Sequence, residues 1–341
     1  MSYRLSIVVV LGLAMTPLLS LGQQKAAKAS LPNPIATVLS WLPPDTESVI
    51  VAKGPLPSKE DTGIDYFTEV DGVRVREYGV ERATGRVVPP APPTPFSSRM
   101  AEMNTGLFGE IRGPNKKPLE LPKILWTLQA GRKFGQIEKI PGCVSYEGCD
   151  LAIFEKDVPN TLVDAIKKLS ARVTQAGSFK AYEVIAKDGR EDVPLYFAQP
   201  ATNVLVAATN LGFLETLLKR VDTRPKDLAF PANLPEWKYV DSAAPAWGIR
   251  HFRKKTLDAE ASGLTFSVTP KDSAIVFHYI SSGGTRVETF KKMLEELSGE
   301  EGLPVKAIAD DAVQASWQIH ERRSSETSLI VFWIMGWVVA V

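Results

Sequence analysis

The pattern of apolar and polar positions changes character several times along the chain, and it begins with an apolar run that has no polar face. Residues 5–21 (LSIVVVLGLAMTPLLSL) are interrupted only by Ser6, Thr16, Pro17 and Ser20, and Arg4 precedes them. A positive start, an apolar middle and the small residues Ser20 and Gly22 make the layout of a secretory signal peptide, so residues 1–22 are expected to be removed and Gln23 to become the N-terminus. The competing reading is an uncleaved anchor, against which Pro17 stands where a cleavable apolar region usually ends. Residues 23–46 are small, polar and marked by Pro32, Pro34, Pro43 and Pro44, and read as a spacer.

Period-two patterns then take over. Ser48–Lys53 (SVIVAK) is the first expected strand, and Asp71-Gly72 between β-forming residues predicts a hairpin. The run VVPPAPPTP at 87–95 predicts a loop, because its prolines lack N–H donors and fix φ. Apolar 124–128 (ILWTL) predicts a buried segment within this first α+β domain, 47–148. The clearest unit spans 149–235. It opens with a strand at 150–154 and a helix from Pro159-Asn160, whose Leu162, Val163, Ile166, Leu169 and Val173 share one face. Strands follow at 181–186, 194–198 and 204–208, then a helix capped by Asn210 with Phe213, Leu214, Leu217, Leu218 and Val221 turned inward. The order β-α-β-β-β-α predicts an antiparallel sheet covered by helices on one face. A similar plan in 236–323 has strands at 247–252, 264–268, 274–280 and 312–320 and a helix at 287–297, suggesting degenerate copies of one α+β unit.

The last stretch, 324–341, ends in SLIVFWIMGWVVAV, which as a helix is hydrophobic on every side. At about 17 residues it reaches about 25 Å, short of the roughly 30 Å of a bilayer's hydrocarbon. Leu329, Phe332, Trp333 and Trp337 are therefore read as an attachment to a membrane or an envelope protein, against a buried terminal element or a sorting tail.

Composition narrows the partners. The 341 residues carry 40 Lys and Arg against 39 Asp and Glu; without Arg4 the mature chain is balanced. A neutral chain with no basic stripe argues against nucleic acid. Cys143 and Cys149 in CVSYEGC are expected to close a small disulfide loop across a turn at Tyr146-Glu147-Gly148 in an oxidising compartment, the alternative being two reduced thiols.

Candidate chemistry is sparse. The chain has no phosphate-binding G-x-x-x-x-G-K-[ST] loop, no H-E-x-x-H, no G-x-S-x-G and no calcium loop, so no cofactor is expected. His251, His278 and His320 fall on different expected strands of the last unit, where a sheet can gather distant residues into a metal site. Alternation instead places His278 with the core residues Val276 and Ile280, and His320 with Gln314, Ser316 and Gln318. Trp237, Lys238 and Tyr239 read either as a sugar-stacking platform or as interdomain packing.

The segments YEGCDLAIF, PLYFAQPATNVLVAATNLGFLETLL and PAWGIRHFRK resemble stretches of uncharacterised exported bacterial proteins with ferredoxin-like α+β units, a resemblance that implies no activity. The expectation is an exported, extracytoplasmic, non-catalytic interaction or structural protein of the cell envelope. Its rival is an envelope hydrolase with a site assembled from scattered residues.

Overall fold

Helix α1 (Asn33–Trp41) forms inside the stretch that reads as a spacer. Its Ile35, Val38, Leu39 and Trp41 recur at helical spacing and are buried. Leu42 turns extended, as a residue before Pro43 must. The computed structural model describes residues 31–54, 63–71, 74–89, 95–112, 119–136, 144–188, 191–223, 225–252, 261–269, 274–281, 287–288, 291–292 and 304–318. After α1 come β1 (Ser48–Lys53), β2 (Ile64–Asp71), β3 (Arg74–Glu81), β4 (Val87–Val88), α2 (Phe96–Met103), α3 (Gly106–Gly109) and β5 (Ile124–Gln136). Next are β6 (Val144–Phe154), α4 (Asn160–Leu169), β7 (Ser170–Ala176), β8 (Phe179–Asp188), β9 (Glu191–Ala201), β10 (Val204–Ala208) and α5 (Leu211–Thr223). A 3-10 turn (Pro235–Lys238) leads to β11 (Ala246–His251), β12 (Ala261–Val268), β13 (Ala274–Ser281), β14 (Val305–Ala309) and β15 (Ala312–Gln318).

The fold is mixed α+β, as the element pattern predicts. Twelve strands form one antiparallel sheet in the order β14-β15-β13-β12-β11-β1-β5-β6-β10-β9-β8-β7, and β2, β3 and β4 form a small sheet. The hairpin expected at Asp71-Gly72 is there, with Val70 opposite Val75 and Asp71 opposite Arg74. The residue 148/149 boundary expected between units falls inside β6, and the large sheet runs through all three expected units.

Helices cover both faces of this sheet rather than one. On one face α1 and α5 pack over Val49, Val51, Leu128, Leu151, Val206 and Trp247. On the other, α3 and α4 cover Ile124, Phe154, Phe197 and Leu205, while α2 covers Ile50, Ala246 and Phe266. Helix α5 starts where expected, with the Asn210 Oδ1 accepting the Phe213 N–H at 2.9 Å.

Three local expectations need correction. Helix α4 ends at Leu169; Val173 lies on β7, opposite Tyr182, and is 54% exposed. The turn expected at Tyr146-Glu147-Gly148 is strand, paired with Lys133, Arg132 and Gly131 of β5. At about 3.3 Å rise per residue, β6 carries Cys149 away from Val144, so the loop that the Cys143–Cys149 disulfide was to close is absent from the described residues; Cys143 itself lies outside them. Beyond these, the run 87–95 that reads as a loop begins as strand β4, with Val87 and Val88 paired to Val80 and Gly79 of β3, and β14 forms where the pattern predicts no strand. Of the helix expected at 287–297, only 287–288 and 291–292 are described, and these are helical. The apolar tail, including Leu329, Phe332, Trp333 and Trp337, lies outside the described residues. Among the described residues no helix is long and apolar enough to cross a membrane.

Candidate functional site

The face of the sheet that carries α1 and α5 changes character at β11. Register fixes which residues share it: Ile249, Thr265, His278, Gln314 and Lys306 form one row across β11, β12, β13, β15 and β14. The neighbouring row runs His251, Gly263, Ile280, Ala312, and on the other side Trp247, Ser267, Val276, Ser316. Where α5 lies over aliphatic residues, this end of the same face offers Thr265, Ser267, His278, Gln314 and Ser316.

Residues 235–245, the last part of the connector between α5 and β11, lie against this polar face. Trp237 is its apolar foot, its ring centroid 5.7 Å from that of Trp247 and its Nε1–H donated to the Pro231 carbonyl at 3.1 Å. Val240 is buried in the same core as Trp247, and Ala244 is buried as well; the remaining attachments are polar. Glu236, fully buried, sets Oε1 2.7 Å from His251 Nδ1, while its Oε2 is buried without a hydrogen bond. Gly263 makes room for it: a Cβ there would stand 2.1 Å from Glu236 Oε1. The Asp241 N–H donates to Ser267 Oγ at 3.0 Å. The Tyr239 hydroxyl donates to Asp311 Oδ1 at 3.0 Å, and its ring lies 5.4 Å from that of His278.

His278 is half-buried, with Nδ1 3.3 Å from Thr265 Oγ1. Burial pushes its pKa down to about 4; a hydrogen bond with Gln314 opposes the shift and the charge of Lys306 adds to it. Burial likewise raises the Tyr239 hydroxyl, with Lys238 lowering it and Asp311 raising it.

His251 and His278 share a face, on neighbouring rows, and His278 lies there with Val276 and Ile280 as alternation predicts; Gln314 and Ser316, which alternation groups with His320, lie on that same face. The two histidines do not share a site: Glu236 takes Nδ1 of one and Thr265 meets Nδ1 of the other. Among the described residues no group of three or more His, Cys, Asp or Glu can hold a metal ion, and His320 lies outside them. Trp237 and Tyr239 are committed to different neighbours, so they form packing rather than a stacking platform.

Two enclosed groups lie elsewhere in the sheet. Asp150 is buried on the opposite face, where Oδ2 accepts the Leu107 N–H at 2.9 Å from the start of α3 and Oδ1 accepts from Gln129 Nε2 at 3.2 Å. Burial raises its pKa to about 7 against those two hydrogen bonds. The Cys149 thiol is buried too, and burial, then Asp150, raises its pKa well above the usual value.

Sequence reasoning missed Glu236 and Asp150. The signal for Glu236 was the lack of a side chain at Gly263, which means nothing until β12 is placed beneath the connector.

This geometry defines a class: a mixed α+β protein on one long antiparallel sheet, with a polar end to one face and no assembled metal centre among the described residues. No family model and no curated protein matches the chain. Among solved structures it is similar to TP0453 in crystal form IV, at 10% identity and a TM-score of 0.41, covering 89% of this chain and 98% of that one. Crystal form I of TP0453 gives 9% identity and a TM-score of 0.40 over the same shares.

Proposed function

We propose that this is an exported, non-catalytic interaction protein of the cell envelope, attached through its apolar C-terminal tail to a membrane or an envelope protein. The observation that carries the non-catalytic half is the pairwise engagement of the polar end of the sheet. Glu236 with His251, Tyr239 with Asp311 and His278 with Thr265 each hold one another rather than converging on a common point where a substrate atom would react. The export half rests on Arg4, the apolar run 5–21 and the Ser20-x-Gly22 site, and is consistent with the resemblance to exported proteins with ferredoxin-like units. The attachment rests on a tail that has no face to offer to water.

Fractionation of a bacterial host expressing the chain tests the reading. The protein is expected in the envelope fraction with an N-terminus at or near Gln23, and a variant lacking 328–341 is expected to leave the membrane pellet while still folded. An intact Met1 in soluble cytoplasm refutes export, and a folded truncated chain that stays in the pellet refutes the tail. Turnover of ester, peptide or glycoside substrates that is lost in Glu236→Gln establishes the envelope hydrolase instead.

A further inference from the structure

We propose that the outer edge of β7 is a self-pairing surface, where a second copy of the chain adds its own β7 antiparallel about Val173 and carries the sheet across both molecules. The large sheet ends in two strands, β14 and β7, and among the described residues nothing pairs with their outer sides. They are defended differently. Strand β14 has five residues, carries Lys306, and shifts register against β15 between Ala307 and Ala309. Brevity, a lysine and an irregular ladder keep an edge from pairing. Strand β7 (SARVTQA) has seven residues with no lysine or proline, and its one charge, Arg172, is committed to Glu183 of β8 at 2.7 Å. Its own register shift lies at the start, between Ser170 and Arg172, and leaves 172–176 regular. Val173, in the middle, is 54% exposed.

Backbone geometry sets the pairing. Gly177, at φ 63°, and Ser178 make a two-residue turn, which Ala176 and Phe179 close as a hydrogen-bonded pair. Bonded and non-bonded pairs alternate, so Arg172 and Thr174 turn their N–H and C=O groups toward β8, while Val173 and Gln175 turn theirs outward. The register shift leaves Ala171 out of the ladder with β8 as well. Two copies of β7 can bond through these three residues in one two-fold register, with Val173 opposite Val173 of the second copy and Ala171 opposite Gln175. A centre at Gln175 would draw in Gly177 of the turn, and a centre at Ala171 would draw in Leu169 of α4. The Val173 register sets Arg172 opposite Thr174, so no charge faces its like. Helix α4 lies over β8, three strand spacings from its two-fold mate. That is roughly 14 Å, wider than the separation of packed helices, so the helices do not obstruct the pairing. A single strand pair is a small interface, so the association is weak and reverses on dilution.

Cysteines placed in the full chain, held in detergent that shields the tail, read the register. Across a hydrogen-bonded antiparallel pair the Cα atoms stand about 5.5 Å apart, within disulfide reach, so Val173→Cys is expected to give a covalent dimer on mild oxidation. Cysteine at 175 stands four residues along from its two-fold mate, roughly 13 Å, and Gln175→Cys is expected to cross-link roughly tenfold less. Adding Ala171→Cys to Gln175→Cys is expected to restore the dimer. Equal cross-linking of Val173→Cys and Gln175→Cys, or none beyond that of the wild type, overturns the proposal. Val173→Pro removes an outward N–H and leaves the bonds to β8 in place. Sedimentation equilibrium at the same concentration is expected to give a dimer for the wild type and a monomer for this variant. A monomeric wild type overturns the proposal, and so does a dimer that survives Val173→Pro, which puts the contact at the tail or another face. If Val173→Pro does not fold, the cysteine pattern decides.

Discussion

Asp150 is enclosed between β6 and the start of α3, and its chemistry follows from that enclosure. Its pKa in the folded chain is about 7, against 3.8 for an ordinary aspartate, with burial as the first cause. A carboxyl raised in this way adds stability that is complete below about pH 4 and is lost as pH rises through 7. Between pH 5 and 9 the loss amounts to about 3 kcal/mol. Asp150→Asn keeps an acceptor for the Leu107 N–H and can donate to a flipped Gln129, so urea unfolding of this variant is expected to lack that part of the pH dependence. A variant as pH-dependent as the wild type would show that Asp150 does not titrate there. The sequence placed this residue on a strand and nothing more. Its burial depends on α3, some forty residues earlier in the chain, and no local pattern encodes that contact.

Element boundaries were legible where a local chemical signal marks them and were lost where two periodicities overlap. Asn210 caps α5 because its side chain reaches back to the Phe213 N–H, a signal contained within four residues. At the end of α4, Leu162, Ile166, Leu169 and Val173 keep helical spacing, yet 170–176 also alternates as a strand, and pairing with β8 settles the matter. The consequence is measurable at Val173. On an exposed edge strand, Val173→Lys is expected to change stability by no more than about 0.5 kcal/mol, since lysine is a common edge residue. A buried helix position would lose about 2 kcal/mol or more on receiving a charge. Chemical denaturation of this one variant separates the two, and the larger loss would restore the helix.

At the scale of the molecule, strands and their antiparallel class could be read from period and turn chemistry, but their order could not, because pairing joins segments far apart in sequence. The strand that settles the architecture is β1. It bonds to β5 on one side and β11 on the other, so the strands from 124–208 and those from 246–318 are joined in one sheet through residues 48–53. Val49, Ile50, Val51 and Ala52 are all at most 2% exposed. Cooperativity between the two halves should therefore pass through this strand. Val51→Ala removes two buried methyl groups and leaves a cavity, at a cost of about 2 kcal/mol. If the sheet opens as a unit, the most protected amides of β10 and of β12 lose protection by the same factor, about thirtyfold for that energy. Native-state hydrogen exchange on the wild type and the variant reads both strands at once. A loss confined to β10 or to β12 would mean that the halves unfold independently, and that β1 belongs to one of them rather than joining both.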